Sequence, residues 1–154
     1  MDTDTSGGRG PGNGLPCLAE MCRRLWAVPA QSRAARTVEL YGWALMLQGG
    51  AIVLFPAEIA ALLRFAPVQE QAENFLRLVG LLAAGVGLLY TVSGRLNAEG
   101  FVFATLIDRP LVPPVAGLLW YLDIMPGGFA LLFALEDLGT WLWTLRAWRA
   151  EMRA

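Results

Sequence analysis

Two adjacent carboxylates, Glu136 and Asp137, lie in the middle of a long apolar stretch of the chain. An ionised side chain at the centre of a bilayer costs about 2.5–3.5 kcal/mol on insertion scales. We therefore expect these groups to face other helices, to be protonated or to pair with a cation. Asp137 and Thr140 share one helical face because they are three positions apart, and Glu136 lies about 100° around the axis. This pattern suits a proton or cation relay, or a polar ligand pocket.

Four further polar residues could reach this pair from other apolar stretches. Gln48 and Tyr90 lie within two of the stretches, and Arg77 and Arg109 lie at the edges of two, where a long side chain can extend inward. The functional interpretation is a relay or pocket built on the two carboxylates and an arginine. The structural interpretation is a charge-neutral network that fixes helix register, since polar contacts between membrane helices are common. Neither interpretation assigns a catalytic residue.

The composition excludes several kinds of chemistry. The chain has 154 residues, of which 56% are hydrophobic and 16% charged, and all 12 basic residues are arginine. Without histidine or lysine there is no His-dependent hydrolytic triad, no His-ligated zinc or haem, and no Schiff-base or P-loop lysine. Cys17 and Cys22 lack the further ligands that a structural zinc requires, so we expect free thiols. We predict no metal, no cofactor and no nucleic-acid partner.

The elements that must position these residues are four apolar stretches. About 20 helical residues cross a hydrocarbon core of ~30 Å, and the stretches occupy residues 37–55, 75–93, 104–125 and 127–145. Parts of the second and fourth are apolar all round, whereas each helix of a soluble bundle shows one charged face. The third is the least regular because it contains three prolines, which are tolerated best in a first helical turn. The sequence predicts an all-α integral membrane four-helix bundle.

The placement of arginine gives the orientation. In a four-span arrangement, ten of the 12 arginines fall on one side of the membrane, and Arg64 and Arg77 fall on the other. The positive-inside rule then places both termini in the cytoplasm. A chain with three or five spans would scatter the arginines over both faces.

The chain divides into four segments. Residues 1–16 are rich in Gly and Pro and are expected to form a disordered tail, because they cannot repay the entropy of ordering. Residues 17–33 are a linker containing either a short amphipathic helix on the membrane surface or a partly ordered leader. Residues 34–149 form the four-span domain, and 150–154 form a C-terminal tail. Within the domain, a short outer helix is expected after Pro56, with Arg64 extending toward the interface.

Small residues in the second stretch predict a close helix contact. Gly80 and Ala84 are four positions apart, as are Ala83 and Gly87, so small side chains occupy neighbouring faces. Such spacings allow two backbones to approach each other. They also arise by chance in helices rich in glycine and alanine.

Several short patterns occur in a familiar order. They are Arg77-x-x-Gly80, Gly94-Arg95-Leu96-Asn97, Asp108-Arg109 with Pro113-Pro114, and Glu136-Asp137. Over residues 37–149 this layout resembles the small four-helix bacterial membrane proteins of the BphX-like and DoxX-like type. The resemblance implies a multi-pass bundle in the inner (plasma) membrane with both termini inside. It brings no catalytic role to any residue of this chain.

Three functions remain open. The preferred one is a non-enzymatic membrane scaffold or accessory component, because the chain is small and shows no catalytic constellation. The second is an oligomeric transporter or channel subunit with a mid-membrane carboxylate site at Glu136 and Asp137. The third is a carboxylate-dependent membrane enzyme acting on a lipid or quinone. The expected partners are the lipid bilayer and either further copies of the chain or another membrane protein.

Overall fold

The structure is a computed structural model that describes residues 17–27, 30–63, 65, 67 and 69–153. Every regular element within these residues is a helix, which confirms the prediction of an all-α chain. The predicted tail 1–16 and Arg64, which we expected to extend toward the interface, lie outside the described residues.

The first helix, α1 (Leu18–Trp26), is short and amphipathic. Its polar side holds Glu20 between two arginines, and the carboxylate accepts hydrogen bonds of 2.9 Å from Nε of Arg23 and from Nε of Arg24. These bonds, first that from Arg24 and then that from Arg23, lower the pKa of Glu20 below its usual range. No residue of α1 is buried, so its apolar side is open.

Two helices follow with a proline between them. The second helix, α2 (Arg33–Leu54), is capped by Ser32, whose Oγ accepts a hydrogen bond of 3.0 Å from the Ala35 backbone N–H. Such a cap typically contributes about 1 kcal/mol. Pro56 cannot continue α2 because it lacks an N–H and its ring clashes with the preceding turn. It instead begins the short helix α3 (Pro56–Leu62), which lies where the sequence predicted a helix.

The third apolar stretch is a helix that changes type near its middle. After α4 (Glu70–Arg95), the chain forms α5 (Glu99–Asp108), a 3₁₀ turn (Arg109–Leu111) and α6 (Val112–Tyr121). Prolines at 110, 113 and 114 account for the change, because each removes a backbone donor from the helix. The helix ends at Tyr121, ahead of residue 125, where the predicted stretch ends. The chain turns there, and Asp123 adopts a left-handed φ of 56°.

Among the described residues, three helical segments are long and apolar enough to cross a membrane: α2, α4 and the continuous segment Glu99–Tyr121. They support the prediction of a membrane protein. The last helix, α7 (Gly127–Glu151), has 25 residues and is long enough as well. It is not among the three apolar segments, and it carries the adjacent carboxylates Glu136 and Asp137.

A glycine seam joins α2 to α4. It consists of Gly42 and Gly49 on α2 and of Gly80, Gly87 and Gly94 on α4, all buried and spaced by seven positions along each helix. A Cβ atom at Gly49 would lie 2.5 Å from the Gly80 carbonyl oxygen, and a Cβ at Gly87 would lie 2.7 Å from the Gly42 carbonyl oxygen. The two backbones are therefore in direct contact, and the seam leaves no room for any side chain.

The remaining contacts place α2 at the centre of the assembly. It contacts α4 most extensively and also contacts α7, which in turn contacts α6. The 3₁₀ turn contacts α7 as well, so side chains from all four long helical segments can meet. At one end of the assembly, Ala34, Ala35 and Val38 of α2 form an apolar core with Val102 of α5.

Candidate functional site: a buried arginine cluster

A single arginine occupies the centre of the assembly. Arg109 lies near the middle of Glu99–Tyr121 and is only 1% exposed. Its Cζ atom lies 4.1 Å from the ring centroid of Tyr41 on α2 and 5.3 Å from that of Tyr90 on α4. The two rings meet edge to face, with centroids 5.3 Å apart. The faces of aromatic rings are negative, so both tyrosines stabilise the buried guanidinium.

The hydroxyl of Tyr41 extends this cluster to a carboxylate. It donates a hydrogen bond of 3.1 Å to Oδ1 of Asp137, which is 6% exposed. Tyr41 thus contacts the arginine through its ring and the aspartate through its hydroxyl. This arrangement places a guanidinium and a carboxyl group in the same buried space.

Two buried threonines complete the contact between α2 and α7. The hydroxyls of Thr37 and Thr144 lie 2.8 Å apart, and Nη1 of Arg109 donates to Oγ1 of Thr144 at 3.4 Å. Among the described residues, Nε and Nη2 of Arg109 have no hydrogen-bond partner. We refer to Tyr41, Tyr90, Arg109, Asp137 and Thr144 as the Arg109 cluster.

Local backbone chemistry explains how Arg109 reaches this position. Pro110 lacks the N–H that would bond to the carbonyl of Leu106 one turn earlier. The indole Nε1–H of Trp141 on α7 donates to that carbonyl instead, at 2.9 Å. Because the proline leaves this carbonyl free, Trp141 can bind it and hold the adjoining 3₁₀ turn against α7. The turn then directs Arg109 toward α2 and α4.

The structure separates the two adjacent carboxylates. Asp137 faces the interior, whereas Glu136 accepts a hydrogen bond of 3.0 Å from Nε2 of the exposed Gln48 on the outer side of α2 and α7. Thr140 belongs to neither group, because its hydroxyl donates to the backbone carbonyls of Glu136 and Asp137, at 2.7 and 3.2 Å. Because these bonds lie within α7, the hydroxyl of Thr140 does not link α7 to another helix.

Of the predicted site residues, Asp137, Tyr90 and Arg109 come together, and Glu136 and Gln48 form a separate pair. Arg77 lies apart from both groups. It is exposed near the beginning of α4, where Nη2 lies 3.6 Å from Glu73 and Nη1 lies 3.4 Å from the side-chain oxygen of Asn74.

Sequence reasoning missed Tyr41, the residue that connects the cluster. One available signal is its position seven residues before Gln48, which places both on the side of α2 that faces α7. Tyrosine is also a common residue near membrane interfaces. A tyrosine near the inner end of a span therefore gave no reason to expect a buried role.

An apolar groove of about 310 Å³ lies between α6 and α7. Val115, Leu119, Phe129 and Phe133 line it, together with Asp108. The lining does not include Arg109, so the groove does not open onto the buried cluster. In the part of the chain that the structure describes, no three Cys, Asp or Glu side chains are grouped as they would be to hold a metal ion.

The geometry of the Arg109 cluster suits it to holding helices together. The guanidinium of the third segment contacts side chains of α2, α4 and α7. Every member of the cluster except Tyr90 is buried. The Gln48–Glu136 pair differs, because it lies on the outer surface, where another molecule could contact it. The chain matches no known protein-family profile, no curated protein and no solved structure.

Proposed function

We propose that this protein is a non-enzymatic membrane scaffold, a four-span bundle of the inner membrane that binds a partner membrane protein through helix contacts. The fourth span is α7, whose 25 residues exceed the number needed to cross ~30 Å of hydrocarbon. Its Asp137 reduces the insertion cost by facing Tyr41 and lying near Arg109. Polar groups in membrane helices are tolerated where they face one another within the bundle.

The orientation places both termini in the cytoplasm. Arg9 lies outside the described residues and Arg109 is buried within the third segment. The other eight arginines predicted for the inner side lie on the side that holds α1 and the end of α7, and cytoplasmic segments carry an excess of arginine. The layout shared with BphX-like and DoxX-like proteins supports the same arrangement. On this orientation the amphipathic helix α1 lies on the cytoplasmic surface, with its open apolar side in the lipid.

The native thiols provide a direct test of this orientation. Cys17 and Cys22 are both free and exposed at α1. A membrane-impermeant maleimide should label them in inside-out vesicles and leave them unlabelled in right-side-out vesicles. A variant that lacks both thiols and carries Glu58→Cys on α3 should show the opposite pattern. Labelling of the native thiols from the outside would contradict the proposed topology.

The observation that carries the scaffold function is the Gln48–Glu136 pair. Glu136 lies near the middle of α7, and Gln48 lies within the apolar part of α2, six residues before its end. Because Gln48 is exposed, the pair would face lipid if nothing covered it. A polar pair at this depth is costly in hydrocarbon and is expected to contact protein. Polar side chains of a partner helix could hydrogen-bond to the free carboxamide and carboxylate atoms.

Photo-crosslinking in native membranes tests this interface. A photoreactive amino acid at Leu47, which is 73% exposed beside Gln48, should give one discrete adduct to another membrane protein. The same probe at Leu89 on α4, which is 61% exposed, should give none. Gln48→Leu should remove the adduct formed at Leu47. The scaffold function fails if the probe at Leu47 gives no protein adduct, or only one to a second copy of the chain.

A further inference from the structure

A basic groove runs between the beginning of α2 and the last turns of α7. The proposed topology places this part of both helices in the cytoplasmic leaflet. The groove has a volume of about 550 Å³ and carries three guanidinium groups, those of Arg33 and Arg36 from α2 and of Arg146 from α7. Leu40 and Trp143 lie about one turn closer to the membrane centre and make that part of the wall apolar. The groove is thus basic at the membrane surface and apolar at greater depth.

The positive charge of this groove is largely unpaired. Among the described residues, none of the three guanidinium groups forms an ion pair with a carboxylate. One carboxylate lies at the rim, where Glu151 accepts a hydrogen bond from the backbone N–H of Arg33. Three arginines against one glutamate leave an excess of two positive charges, so an anion would be attracted to the groove.

We propose that this groove binds the phosphodiester headgroup of an anionic glycerophospholipid, with an acyl chain against Leu40 and Trp143. Guanidinium groups bind phosphate oxygens through paired N–H donors. Basic pockets between membrane helices on the cytoplasmic side recognise anionic headgroups in the same way. The apolar wall that continues toward the membrane centre favours a lipid over a free phosphate ion. The proposal rests on the membrane placement of α2 and α7 argued above.

Native mass spectrometry of the full-length protein tests the proposal, with dioleoyl phosphatidylglycerol and dioleoyl phosphatidylcholine as probes. The wild type should bind phosphatidylglycerol more tightly, by roughly tenfold or more, given the groove's excess charge. A basic side chain near the membrane surface contributes about 1 kcal/mol. Arg36→Gln and Arg146→Gln should therefore each weaken phosphatidylglycerol binding about fivefold. Neither substitution should change the binding of phosphatidylcholine.

A matched control lies one turn further along α7. Arg149→Gln makes the same charge change outside the groove and should alter the affinity less than about twofold. Equal binding of the two lipids, or an equal effect of Arg146→Gln and Arg149→Gln, would overturn the proposal. So would displacement of the lipid by millimolar inorganic phosphate, which would indicate a site for a free ion. If crosslinking at Leu47 fails while the lipid preference persists, the scaffold function fails and the lipid site stands.

Discussion

Gly87→Ala is expected to lower the free energy of unfolding by about 1–3 kcal/mol, the usual cost of overpacking a filled interface. The added methyl group would lie 2.7 Å from the carbonyl oxygen of Gly42 and 2.7 Å from the backbone nitrogen of Met46. Both neighbours are backbone atoms and cannot move away without separating α2 from α4. Unfolding of the purified protein in mixed micelles, followed by circular dichroism, measures the effect.

Gly85→Ala provides the matched control on the same helix. Nothing lies within 4 Å of a Cβ atom at that position. Alanine favours a helix over glycine by about 0.5–1 kcal/mol, so this variant should be as stable as the wild type or slightly more stable. If the two variants lose the same stability, the contact between α2 and α4 is not the close backbone seam described above.

The sequence predicted this seam in part. Gly80, Ala84 and Gly87 belong to the small-residue spacings that indicated close contact on α4, and a Cβ at Gly49 would approach Ala84 and Gly80. The partner helix could not be predicted, because any neighbouring backbone can use a small face. A more specific indication is the seven-residue spacing of glycines, which occurs twice on α4 and once on α2, between Gly42 and Gly49. A repeat of seven keeps one narrow stripe facing a single partner.

The depth of Arg109 could not be predicted from the sequence. The apolar stretch was expected to begin at residue 104, which places Arg109 near an edge, with its side chain extending inward. The helix instead begins at Glu99, so Arg109 falls near its middle. Hydropathy did not indicate the earlier start of the helix, because Glu99 and Gly100 are not apolar residues typical of a membrane span. The compensating contacts come from three other helical segments, and no local pattern reports them.

The two carboxylates show the same limit of sequence reasoning. Their spacing correctly places them on different sides of α7, about 100° apart. It does not say which side is covered. That depends on Tyr41, which gives Asp137 an internal partner, and on the outward position of Gln48, which holds Glu136 at the surface. Neighbouring residues of identical chemistry therefore occupy different environments.

Arg109→Leu is expected to have the largest effect of any single substitution, a loss of about 3–5 kcal/mol in unfolding free energy. Leucine would leave the buried carboxylate of Asp137 without a nearby positive charge and would remove the contacts with both tyrosine rings. Arg77→Leu is the control, because Arg77 is exposed and its ion pair with Glu73 spans 3.6 Å. That substitution should cost less than about 1 kcal/mol.

A double-mutant cycle distinguishes charge compensation from simple packing. Asp137→Leu alone leaves the buried guanidinium uncompensated and should also be strongly destabilising. If the two charges stabilise each other, Arg109→Leu combined with Asp137→Leu should lose clearly less stability than the sum of the single losses, by about 1–3 kcal/mol. Additive losses would mean that Arg109 acts through its tyrosine contacts alone. In that case, charge compensation by Arg109 would not explain why Asp137 of α7 is tolerated inside the bundle.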